Sequence, residues 1–161
     1  METKELSRAY KELLAAAESI TDDRPLAEFD RAEVDWVLAH IALSDRALAG
    51  TARDVLAGRA ARIDNAQVMS RAAIAAVLCS TTHLERVDMV RRNAKELVDL
   101  LEQIPQEAAG TAVRAQLVDR EGMLVFDDDL KWGDVIRMRA MEHIPGHAAT
   151  LLARAHFAIE G

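Results

Sequence analysis

A chain of 161 residues, half of them hydrophobic and 29% charged with mixed signs, is long enough to bury a core and too apolar to remain disordered. Its net charge of −7, with "MVRRNAK" (89–95) as the one dense basic spot, argues against a nucleic-acid or anionic-membrane partner. A single cysteine, Cys79, excludes an internal disulfide; the charged start "METKELSRAY" is no signal region, and no run approaches the roughly 20 apolar residues of a membrane span. The expectation is one cytoplasmic domain over residues 1–161.

Residues 2–20 carry Leu6, Tyr10, Leu13, Leu14, Ala17 and Ile20 at helical spacing, and "TDDRP" (21–25) breaks that helix. "FDRAEVDW" opens a second helix, with Asp30 placed to cap it and Glu33 to complete a capping box; it runs to Ala57, with Gly58 as its stop. "ARIDNAQ" (61–67) reads as a connector in which Asp64 or Asn65 caps the next helix. The helical pattern then continues to Ile104, too long for one ordinary helix. Thr82 and Glu85 form a second capping-box signature, so two helices are expected to meet near Ser80–Thr82, with Pro105 ending the second.

From 111 to 127 the period changes. Val113, Ala115 and Leu117 alternate with polar residues, "DREG" makes a turn with Gly122 free to take a positive φ, and Met123 and Val125 alternate again. A last helix comes after it, from about Leu130 to Ile159. The sum is an all-α fold, an antiparallel four-helix bundle with a short β-hairpin before the last helix.

Bundles build their cofactor sites from side chains on facing helices, which directs attention to the histidines. His143 and His147 are four apart and share one helix face, the face that also carries Trp132, Ile136, Ala140 and Leu151. Two inward imidazoles need partners, and a metal ion supplies them. His40 lies at the centre of the inward stripe of the second helix, beside Trp36, Val37, Ser44 and Thr51. Three neutral imidazoles with an open position make a site for Zn²⁺, Ni²⁺ or, less suitably, Fe²⁺. Pro145, between the last two, either kinks the helix and aims the rings or restarts the helix and splays them. His83 reads as a capping or turn residue and His156 as exposed.

Other groups read as structural. Cys79 has helical Ala/Val neighbours and is expected in the core, and the carboxylates of "FDDDLKWGD" (126–134) are expected as helix-terminal caps. Arg139, one turn before His143, is the catalytic candidate, placed to hold an anionic substrate or a thiol's carboxylate, against the plainer reading of an arginine that snorkels to the rim or bonds an acid. Asp45 and Glu142 are candidate acceptors that orient the ligands.

"VDWVLAHIALSDRAL" and "LKWGDVIRMRAMEHIPGHAATLL" resemble the two metal-binding segments of the DinB-like superfamily of metal-binding helical bundles. The nearer likeness is to its mycothiol-dependent maleylpyruvate isomerase branch. The resemblance implies His40 as first ligand and His147 as last, with His143 at a position where members have His or Glu. It further implies a low-molecular-weight thiol co-substrate, bound as thiolate to zinc or nickel and transferred to a small electrophile, or used to isomerise it. The branch's separate C-terminal domain has no counterpart in these 161 residues, so a non-catalytic metal- or small-ligand-binding module is the alternative, and the apolar helix faces admit a homodimer.

Overall fold

The computed structural model describes residues 1–21 and 25–157. Helix α1 (Lys4–Glu18) buries Leu6, Ala9, Tyr10, Leu13 and Ala17 against α4 (His83–Gln103) and α6 (Ile144–Phe157). Helix α2 (Glu28–Leu56) is the longest and lies against α4, α6 and the short α3 (Arg71–Ser80). Helix α5 (Trp132–Met138) runs into α6 through a π-helical turn, Arg139–His143. Leu38, Ile41, Leu97, Leu101, Trp132, Ile144 and Leu151 form the centre of the shared core.

The all-α four-helix bundle is incorrect. Three strands, β1 (Ala61–Asp64), β2 (Ala112–Val118) and β3 (Leu124–Lys131), form a mixed sheet in the order β1-β2-β3 beside the helices. The expected hairpin is its β2–β3 half, paired antiparallel, with Gly122 at φ +84° in the turn. The expected connector at 61–67 is instead β1, parallel to β2 with Ala61 opposite Val113 and Ile63 opposite Ala115. Four residues are too few to show a period of two, and a parallel partner 50 residues away leaves no local mark. Asn65 extends the pairing: its side chain donates to the Val118 carbonyl and accepts from the Val118 N–H, at 3.0 and 2.7 Å. One face of the sheet, with Ala61, Val113 and Ala115 buried, turns inward, while Arg62, Arg114, Asp127 and Asp129 stand on the polar face.

Several termini move for local reasons. The expected box at Asp30 and Glu33 does not cap α2, which begins two residues earlier behind Ala27; both carboxylates lie inside the helix and bind Arg154 and Arg120. Ser70, not Asp64 or Asn65, caps α3. The Thr82–Glu85 box is present as expected, and Gly58, at φ +65°, follows the end of α2. Because β3 extends to Lys131, the last helical stretch starts at Trp132, and Asp127–Asp129 belong to a strand rather than a helix cap. Cys79 is exposed, not in the core. The expected end at Ile159, and part of the break at 21–25, lie outside the described residues. Among the described residues no helix is long and apolar enough to cross a membrane.

Candidate metal centre

Pro145 neither splays the histidines nor ends the helix. It lacks the N–H that would bond the Met141 carbonyl, and the turn before it widens so that the Ile144 N–H donates to the Arg139 carbonyl, five residues back. The helix stays continuous through the proline and carries both His143 and His147 toward α2, where His40 waits.

The three imidazoles meet there. Ring centroids stand 5.5 Å apart for His40–His143, 5.4 Å for His40–His147 and 4.7 Å for His143–His147. One ring nitrogen from each lies within 4.8 Å of the other two. Ligands at about 2.0–2.1 Å from a tetrahedral ion stand about 3.3 Å apart, so the nitrogens need close by at most about 1.5 Å. Trp36 fixes the His40 ring by stacking on it at 4.8 Å and 14°. Arg120, from the β2–β3 turn, lies 3.9 Å over the Trp36 ring and pairs with Glu33, closing the outside of the cluster.

The donor chemistry fits a cation. Nδ1 of His40 and Nε2 of His143 are fully buried and have no hydrogen-bond partner among the described residues, a costly state for an imidazole. Burial above all, with Arg139 beside each ring, depresses all three, to about 3 for His40, about 2 for His143 and about 4 for His147; neighbouring imidazoles add to the shift of His40 and His143, and Glu33 partly opposes that of His147. At neutral pH they are uncharged and offer lone pairs, the form in which histidine binds metal.

Arg139 is where the sequence left two readings, and it is bonded to an acid. Its Nε donates to Asp45 at 3.0 Å and to the Tyr10 hydroxyl at 3.1 Å; its Nη2 donates to Ser44 at 3.0 Å and to Asp45. Tyr10 also donates to Asp45. Burial opposes the guanidinium charge, but Asp45 and Tyr10 outweigh it and raise the Arg139 pKa. Asp45 therefore orients Arg139 and no histidine, and Glu142 is exposed on the far side; neither is the expected acceptor for a ligand. The Tyr10–Asp45 contact joins residues 35 apart and has no sequence signal. His83 opens α4 and donates to the Ala17 carbonyl at 3.0 Å, while His156 is exposed.

His40, His143 and Arg139 form one end of a cavity of about 460 Å³ between α2, the sheet and α5. That is within the usual range for small-ligand sites. The sheet that the sequence did not reveal in full is one of its walls. No family model, curated protein or solved structure matches the chain.

Proposed function

We propose that the chain is a divalent-metal-binding protein that holds zinc or nickel, less suitably iron, on His40, His143 and His147. We propose further that it is an enzyme using a low-molecular-weight thiol for S-transfer to, or isomerisation of, a small electrophile. The observation that carries the first part is the convergence of three uncharged imidazoles, two with orphaned buried nitrogens, from helices about 100 residues apart in sequence. A divalent ion in that place would acidify a bound thiol, giving thiolate near neutral pH. The rest is the work of the chain. Trp36 holds His40 in orientation, the π turn presents His143 and His147, and the cavity offers a largely apolar space beside them. Arg139, kept charged and immobile by Asp45 and Tyr10, has Nη1 left to hold an anionic group beside the triad. The resemblance of both histidine segments to the thiol-dependent DinB-like proteins supports the second part.

Metal analysis of the purified protein is expected to give about one ion per chain, and His147→Ala is expected to lose it on dialysis. Unchanged occupancy in that variant would show the triad to be wrongly assigned. Thiol conjugation to a model electrophile, with and without chelator, then separates an enzyme from a binding module: chelator-sensitive turnover supports the enzyme, and metal bound without turnover supports the module.

A further inference from the structure

The cavity beside the triad has its polar and apolar groups sorted. Along α2 the lining runs from His40 through Ser44 and Leu48 to Thr51, three helical turns or about 16 Å. Away from the histidines the wall is Leu48, Ile63, Val68, Leu117, Leu130 and Val135.

The polar residues among them are already bonded within the protein. The Thr51 hydroxyl donates to the Arg62 carbonyl at 2.7 Å. Asn65 is held at both ends by the Val118 backbone, and Asp64 accepts from the Ala66 N–H. Arg62 donates to Gln116, and Ser44 bridges Arg139 and the Ile41 carbonyl. Among the fully buried polar atoms of the lining, those without a partner among the described residues lie at one end, a ring nitrogen each of His40 and His143, with the unbonded Nη1 of Arg139 beside them; Arg62 and Asp64, which keep further donors and an acceptor free, are solvent-exposed.

We infer that the cavity takes an amphiphilic molecule with one anionic head group at the His40–His143–Arg139 end and an unsubstituted apolar body, aliphatic or aromatic, along α2 and the sheet. A hydroxyl or charge on the part of the ligand beside Leu48, Ile63 and Leu117 would be buried without a partner, so each one weakens binding and several together weaken it strongly. The effect of zinc on its binding rests on the metal reading, whereas the shape and polarity of the cavity do not.

The test uses straight-chain carboxylates from butanoate to decanoate, with gluconate as a hydroxylated carboxylate, titrated calorimetrically into zinc-loaded and into chelator-treated protein. Affinity is expected to rise about three- to fourfold per methylene until the cavity is full, in both forms, with no binding of gluconate. Zinc is expected to tighten every member of the series by a constant factor. Leu117→Lys and Val68→Asp, on two separate walls, are expected to flatten the chain-length dependence while zinc stoichiometry stays unchanged. A flat series, or gluconate binding as tightly as octanoate, overturns the inference even where zinc binds. A rising series that zinc does not affect leaves the cavity assignment standing and removes the metal from it.

Discussion

At the scale of single residues, the site is defined by what burial does to imidazole. An isolated histidine loses its proton near pH 6.5, whereas these three stay neutral down to about 4 or below because burial strips a charged ring of water and the Arg139 charge repels it. The folded pKa values are depressed, so in metal-free protein the unfolded chain binds more protons than the folded one below pH 6.5. The contribution to stability is therefore full above that pH and is lost as pH falls toward 4 and below. The melting temperature of chelator-treated protein is expected to fall between pH 7.5 and pH 5. In His143→Gln, which removes one of three similar titrations, the fall should be shallower by about a third. A melting temperature that is level across this range would mean that the rings are not buried neutral.

Single residues also show where spacing misleads. Asp30 and Glu33 have the box signature of Thr82 and Glu85, yet only the second pair caps a helix. The difference is that the helix already begins at Glu28, so Asp30 stands inside its first turn and the Glu33 N–H that it would have capped is taken up by the helix itself.

At the scale of elements, the π turn decides how Pro145 is accommodated. A proline inside an α-helix leaves one carbonyl without its donor and crowds the preceding turn. Here the wide turn at Arg139–His143 precedes it and sets the rotation of His143 and His147 relative to α5. Pro145→Ala restores an N–H for the Met141 carbonyl and lets the turn relax toward α geometry. Helix content by circular dichroism is expected to hold, and zinc affinity is expected to weaken on the order of tenfold, as when ligand orientation is loosened elsewhere. Undiminished affinity would show that the π turn has no part in aiming the rings.

Across the whole molecule, the helices carry the triad and the sheet closes the cavity next to it. These two tasks should come apart experimentally. Asn65→Ala removes both side-chain bonds to the Val118 backbone that tie the end of β1 to β2. It is expected to lower stability to urea by about 1–3 kcal/mol. Zinc stoichiometry should be unchanged, because no ligand stands on the sheet, while carboxylate binding weakens. Loss of zinc together with the cavity would mean that triad and sheet form one cooperative unit.

The periodicities of 3.6 and 2 in the chain itself were sufficient for the long helices, the Thr82 cap, the β2–β3 hairpin with Gly122 at its turn, and the inward direction of His40, His143 and His147. These depend on neighbours within one or two turns of the backbone, whose signal is local. Tertiary structure alone decided that 61–64 is a strand, since a four-residue parallel strand exists only by virtue of its partner at 113–116. It also decided the Tyr10–Asp45–Arg139 network and the cavity wall. Buried charge pairs and concave surfaces are made by segments that meet only after folding, and each segment alone presents an ordinary polar or apolar face.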